Sequence, residues 1–196
     1  MRVLVACEFS GIVRDAFLKA GHDAWSVDLL PSDTPGPHIQ DDVLNRLTWT
    51  HWDLMIAHPP CTHLAVSGAR WFKEKAKEQA EALQFVYLLL YSSRIPLIAL
   101  ENPVSIISSY IRKPDQIIQP WMFGHPESKK TCLWLKGLPK LIPTNILPPP
   151  EKGYWDNQTP NGQNKLGPSP TRAQVRSRTY KGIAEAMAEQ WGNLAN

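Results

Sequence analysis

The first 29 residues constrain this chain more than any other stretch. Arg2-Val3-Leu4-Val5-Ala6 is a short apolar run rich in β-branched residues, and Glu8-Phe9-Ser10-Gly11 follows it. Apolar residues then recur at helical spacing, at Ile12, Val13, Ala16, Phe17 and Ala20, and Gly21 is placed to end that helix in the left-handed conformation. A second apolar run, Ala24–Leu29, carries Asp28 at its carboxyl end. Strand, loop, helix and strand in so few residues make the two strands parallel, because the helix carries the chain back to the edge where it began. The expected class is α/β, a Rossmann-like sheet with helices on both faces and ligand sites at the carboxyl ends of its strands.

The pattern continues to about residue 103. After a Pro/Gly loop from Pro31 to Pro37, His38–Val43 reads as a short third strand or its exit loop. Asp53–Ala57 reads as a buried strand that stops at His58-Pro59-Pro60-Cys61. Lys73–Ser93 holds no Gly or Pro and predicts a long crossover helix; Pro96–Leu100 is the next strand, ending in Glu101-Asn102-Pro103. Beyond that, Ile117–Phe123 and Thr131–Leu135 fit an antiparallel pair across Gly124-His125-Pro126, and Tyr180–Trp191 a terminal amphipathic helix. The proline-dense stretch between Pro139 and Pro170 reads as a loop without regular structure rather than a second domain. At 196 residues, one domain spanning 1–196 is expected.

Composition narrows the function. No apolar run approaches the ~18 residues needed to cross a bilayer, and the start of the chain lacks the order of a signal peptide. A cytoplasmic protein is expected, with no membrane partner. Cys7, Cys61 and Cys132 are odd in number, widely spaced and without CxxC pairing, which excludes a disulfide framework and a zinc knuckle; no metal is expected. Residues 1–102 carry a net charge of −3 and residues 103–196 a net charge of +6. A basic half beside an acidic one suits a polyanionic partner, although scattered surface lysines produce the same total.

Three groups of residues carry chemistry. The loop Glu8-Phe9-Ser10-Gly11 lets a ligand approach the backbone at a helix start expected to offer free N–H groups, and Asp28 can accept both hydroxyls of a ribose. Val13 and Ala16 stand where the later glycines of G-x-G-x-x-G would be, so an adenosine ligand without pyrophosphate is favoured over a dinucleotide. Pro59-Pro60 holds Cys61 on a rigid loop as a presented thiol, whereas Cys7 and Cys132, in apolar strand contexts, read as quiet core residues. Glu101 leaves an apolar strand, so its pKa is expected to be raised and its proton available near neutrality; the plainer alternative is a capping or salt-bridged glutamate.

In this order and at these strand ends, Phe9-Ser10-Gly11, Asp28, Asp42, Pro59-Pro60-Cys61 and Glu101-Asn102-Pro103 resemble the cytosine carbon-5 DNA methyltransferases. The resemblance covers about residues 2–103. It implies an S-adenosylmethionine-dependent enzyme that methylates carbon 5 of cytosine in DNA through a covalent cysteine adduct. Phe9, Ser10 and Gly11 would line the cofactor with Pro60 beside it, Asp28 would hold its ribose and Asp42 its adenine amine. Cys61 would be the nucleophile and Glu101 would hold the ring nitrogen of the base. The cytosine would have to be flipped out of a duplex or lie in a single strand.

Several positions depart from the family's pattern. Thr62 stands where a glutamine usually follows Pro-Pro-Cys, Pro103 where a valine follows Glu-Asn, and Val13 at the second glycine. The family's Gln-x-Arg-x-Arg occurs as Gln174-Val175-Arg176-Ser177-Arg178, later than expected, while spacing from Glu101 points instead to Lys129–Leu133. Tyr180–Ala184 resembles the closing motif. Only the Pro-rich basic stretch 139–178 stands in place of a target-recognition domain, as expected of a small, phage-like form. There Lys165, Arg172, Arg176 and Arg178, with Lys152, Tyr154 and Trp155, offer charge and stacking surface to nucleic acid; a plain surface loop is the alternative. Rival readings of the whole chain are a silent nucleic-acid-binding or decoy protein with the same fold, and an enzyme modifying a pyrimidine in RNA or a free nucleotide.

Overall fold

A computed structural model describes residues 1–48, 51–66, 74–92, 94–169 and 171–194. The chain forms one seven-stranded sheet. Its strands are β1 (Arg2–Ala6), β2 (Asp23–Asp28), β3 (His38–Gln40), β4 (Leu54–Ala57), β5 (Leu97–Pro103), β6 (Gln116–Ile118) and β7 (Thr131–Lys136), in the spatial order β3-β2-β1-β4-β5-β7-β6. The first five are mutually parallel, and β7 runs antiparallel to both β5 and β6. The order reverses between β1 and β4, the switch point where an open α/β sheet leaves a crevice at its strand ends.

Both faces of the sheet are covered, which is why its central strands are continuous apolar runs. On one face Val3, Val5, Leu54, Ile56 and Leu133 pack against helices α1 (Ile12–Lys19) and α5 (Lys181–Gly192) through Val13, Phe17, Ile183, Met187 and Trp191. On the other, Leu4, Ala6, Met55, Ile98 and Leu100 meet Val86 and Leu89 of helix α2 (Ala76–Tyr87) and its π-helical continuation Leu88–Ser92. Trp52, Trp134 and Trp191 are fully buried. Each donates its indole N–H to a backbone carbonyl, of Arg46, Arg112 and Pro139 respectively, so their area is buried without an orphaned donor. Gly21 ends the first helix with φ +88°, in open space, so backbone conformation alone calls for glycine there.

Three boundaries differ from the sequence expectation. β5 does not stop at Leu100 but runs on through Pro103, because β7 pairs with it at Glu101, Asn102 and Pro103. The strand expected over Ile117–Phe123 ends at Ile118, because Pro120 opens a 3-10 turn, Pro120–Met122. The crossover helix is seen from Ala76, while Lys73 and Ser93 lie outside the described residues. Short helices α3 (Ile107–Tyr110) and α4 (Arg172–Ser177) carry no sequence signal strong enough to have been expected. Among the described residues of 139–170 only turns and isolated bridges occur.

Candidate active site

The first strand end is more self-contained than its sequence suggests. Glu8 is buried, and its carboxylate accepts the N–H of Val13 at 2.7 Å and of Arg14 at 3.2 Å; Ser10 Oγ accepts Ile12 N–H at 3.3 Å and donates to Glu8. The helix start therefore does not offer free N–H groups, contrary to expectation. A carboxylate on a helix N-terminus also cancels the partial positive charge that draws phosphates there. Gly11 has φ +74°, and a Cβ on it would lie 2.3 Å from Thr34 Oγ1 and 2.4 Å from Arg14 Nη2. The glycine thus admits the chain's own loop. Arg14, fully buried, hydrogen-bonds Ser26, Ser32, Thr34 and Pro35 and ties that loop down.

Asp28 and Asp42 come together around Cys7, whose thiol is pushed far up by burial and by both carboxylates. Burial raises the pKa of Asp28, against a backbone hydrogen bond from Leu30 at 2.9 Å. Asp42 is exposed and caps the short turn Val43–Asn45 through Leu44 N–H. Phe9 is half-buried, and its carbonyl accepts Asp33 N–H. An open cleft of about 450 Å³ is lined by Ser10, Ile12, Asp33, Thr34 and Arg178; Phe9, Asp28, Asp42 and Pro60 are not in its lining.

The second centre lies where β4 and β5 end side by side, Ala57 beside Leu100. Pro59 is buried, Pro60 and Cys61 are exposed, and the Cys61 carbonyl accepts the N–H of Leu64 and Ala65 in a helical turn. Asn102 Nδ2 donates to Pro59 O at 2.9 Å, and Ile106 N–H to Leu64 O at 3.0 Å, so the cysteine loop is stitched to the end of β5. His58 Nδ1 lies 3.1 Å from Glu101 Oε2, with side-chain exposures of 8% and 11%. A carboxylate oxygen can only accept, so Nδ1 is the donor.

Electrostatics correct one expectation. Burial does push Glu101 upward, but the Lys129 charge and the hydrogen bond and charge of His58 together outweigh it, and the carboxyl is held below its ordinary value. It is ionised at neutral pH. Cys61 is shifted the other way: burial and the Glu101 charge raise its thiol pKa, and Lys129 and Arg176 oppose them. The free protein therefore holds one proton between the two, and it sits on sulfur.

Five buried polar atoms at these strand ends have no partner among the described residues: His58 Nε2, His63 Nδ1, Glu101 Oε1, Asn102 Oδ1 and Ser105 Oγ. Buried polar atoms nearly always find partners, so such a concentration marks a place built for something polar. The exposed Cys61 should be the thiol that iodoacetamide reaches first, since Cys7 is half-buried and Cys132 buried. Because its pKa lies above the ordinary 9.0, labelling should rise about tenfold per pH unit from pH 7 to 9. Peptide mapping of the labelled protein checks this, and a rate that levels off below about pH 8 contradicts it.

The basic tail folds back over both centres. Arg178 pairs with Asp33 at 2.7 Å, and the Arg176 carbonyl accepts Lys129 Nζ at 3.0 Å. Gln174–Arg178 and Lys129, the two candidate locations of the arginine motif, are thus neighbours. Arg172 is half-buried at the start of α4, and Lys165 is exposed, its Nζ 5.9 Å from the Tyr154 ring. Trp155 stacks on Trp121, ring centroids 5.8 Å apart and 5° from parallel. Gly182 seats the start of α5 on the loop between β6 and β7: its N–H donates to His125, and a Cβ would lie 2.1 Å from Phe123 O. Glu8 and His58 carried no assigned role in the sequence, although both directly flank assigned motifs; Lys129 was marked only by its spacing from Glu101, as one end of a candidate location of the arginine motif.

No family model matches the chain, and no curated protein matches it. Solved structures that match include that of the Entamoeba histolytica methyltransferase EhMeth, at 14% sequence identity and a TM-score of 0.53, covering 74% of this chain. The match spans 57% of that chain, little more than half its length. With the strand order above, it shows an α/β Rossmann-like methyltransferase fold. Among the described residues no helix is long and apolar enough to cross a membrane, and no cluster of three or more His, Cys, Asp or Glu could hold a metal ion.

Proposed function

We propose that this chain transfers a methyl group from S-adenosylmethionine to carbon 5 of a cytosine in DNA, with Cys61 as nucleophile and Glu101 as the group that holds ring nitrogen 3. The observation that carries the reading is the pairing of an exposed thiol and a buried ionised carboxylate at adjacent strand ends of a methyltransferase fold. Around them lie buried polar atoms with no partner among the described residues.

The residues at the first strand ends fit the cofactor. Asp28 and Asp42 are acceptors suited to ribose hydroxyls and an adenine amine, and the N-terminus of α1, neutralised by Glu8, suits a ligand without phosphates. When bound, the cofactor supplies an electrophilic methyl group on a sulfonium whose positive charge favours a nearby thiolate. Phe9, Ser10, Gly11 and Pro60 are the further residues assigned to it. Arg178, paired with Asp33 beside Ser10, acts in this reading first as a tie across that loop. Lys165, Arg172 and Arg176 remain the nucleic-acid contacts, within a stretch, 139–178, that takes the place of a recognition domain in a single-domain enzyme.

The protonation states order the steps. Cytosine carbon 5 is a poor nucleophile until sulfur adds at carbon 6. As the S–C6 bond forms, the proton leaves sulfur for Glu101, which holds it against nitrogen 3, and after elimination it returns through Glu101 to the released thiolate. The ring electrons pass to carbon 5, which accepts the methyl group. Loss of the carbon 5 proton to water restores the double bond and expels the Cys61 thiolate, and nitrogen 3 returns its share to Glu101. The geometry needs an unstacked base, extruded from a duplex or already single-stranded.

Incubating the protein with cofactor labelled in its methyl group, and digesting the nucleic acid for mass spectrometry, tests the reading. Labelled 5-methylcytosine is expected from duplex or single-stranded DNA. Label in RNA or in free deoxycytidine nucleotides alone moves the activity to those substrates. No label in any of them, from protein that binds both cofactor and DNA, leaves a silent binding protein.

A further inference from the structure

Four groups from neighbouring elements interact with Glu101: His58 at the end of β4, Cys61 on the following loop, Lys129 ahead of β7 and Cys132 within β7. Among them His58 makes the hydrogen bond, 3.1 Å to Oε2. The other carboxylate oxygen, Oε1, is buried with no partner among the described residues. A carboxylate on a rotatable stem can present either oxygen, or both at a poor angle, to a ring placed before it. Tying one oxygen down leaves a single oxygen in a single orientation. The His58 backbone is fixed in turn, its N–H donating to Ala6 O, with Pro59 buried immediately after it. Pro59 O also accepts Asn102 Nδ2, so two bonds cross-link the cysteine loop to Glu101-Asn102.

We propose that His58 is a positioning residue for Glu101, pinning Oε2 so that Oε1 alone faces the pyrimidine, and setting the distance between the carboxylate and Cys61 on its own loop. This deepens the proposed methyl transfer and rests on it. His58 does not touch the substrate in this role. It acts through Glu101, and its contribution exists only while residue 101 carries an acceptor for the His58 N–H.

The test is single-turnover transfer of labelled methyl to a cytosine-containing substrate by wild type, His58→Leu, His58→Ala, His58→Asn, Glu101→Ala and the double variant His58→Leu/Glu101→Ala. Removing the donor with Leu or Ala should slow transfer by about 10- to 100-fold, the worth of a hydrogen bond to a charged group. KM for DNA and cofactor should stay within about threefold, as for an interaction used in the transition state. Asn keeps an N–H near the place of Nδ1 and should restore most of the rate. The double variant should be no slower than Glu101→Ala alone, because residues acting as one unit are not additive.

Additive losses overturn the proposal, as does an Asn variant as slow as Leu, or a defect confined to KM. Wild-type transfer with a normal Leu variant overturns this inference and leaves the methyltransferase reading standing. A wild type that labels no pyrimidine overturns both. Leu retains side-chain volume, so one donor-free variant folds even if the Ala cavity is not tolerated; melting temperatures of all six report on this.

Discussion

Replacing Cys61 by Ser should abolish methyl transfer, by a factor on the order of 10⁴ or more, while the protein still binds cofactor and DNA. A serine hydroxyl at pH 7 has no population comparable with thiolate, and it is a far weaker nucleophile toward ring carbon 6. Cys61 is exposed and its side chain fills no core, so the substitution should shift folding stability by no more than about 0.5 kcal/mol. The sharpest readout uses DNA carrying 5-fluorocytosine. Fluorine cannot leave carbon 5 as a proton does, so the thioether is trapped and the wild type should migrate with the DNA on a denaturing gel. The Ser variant should give no adduct. An adduct formed by Cys61→Ser moves the nucleophile to another residue. No adduct with wild type, in the presence of methyl donor and under conditions where both ligands bind, would falsify thiol addition.

Glu101→Gln should lose about 10²–10⁴ in rate, since an amide can hydrogen-bond nitrogen 3 but cannot take up and return its proton. The folded-state shift adds a second readout. The Glu101 pKa is depressed on folding, so its contribution to stability is fully present above the unfolded value, close to 4.5, and is lost as pH falls through the lower folded value. Melting curves of wild type should therefore fall more steeply with acid than those of Glu101→Gln in that window. Parallel curves would mean that Lys129 and His58 do not hold the carboxylate down. An unchanged rate would remove Glu101 from the reaction altogether.

Why one carboxylate was read in the wrong direction is a matter of which terms are local. Burial of Glu101 follows from the apolar run before it and was legible. The charge that, together with His58, outweighs burial comes from Lys129, brought near only because β7 inserts antiparallel beside β5, pairing Cys132 with Asn102. The same pairing extended β5 past Leu100. Likewise, Gly11 was legible as a special backbone position, but not the reason for it: Arg14 and Thr34 occupy the space, and Glu8 takes the helix N–H groups.

Local patterns by themselves determined the strand–helix–strand opening, the parallel run of strands up to Glu101, the antiparallel partnership of β6 and β7, the closing helix and the irregular stretch between Pro139 and Pro170. Those features depend on hydrophobic periodicity and on Gly and Pro, which act within a few residues. Tertiary structure alone decided where β7 inserts, that His58 and Asn102 cross-link the two strand ends, that Arg178 spends its charge on Asp33, and that Gln174–Arg178 and Lys129 meet beside Cys61. Each of these joins residues more than forty positions apart except the pairing of β7 with β5, where the intervening strand β6 hides the partner. Electrostatic and hydrogen-bonding terms fall off with distance in space, and no spacing along the chain encodes that distance before the sheet is assembled.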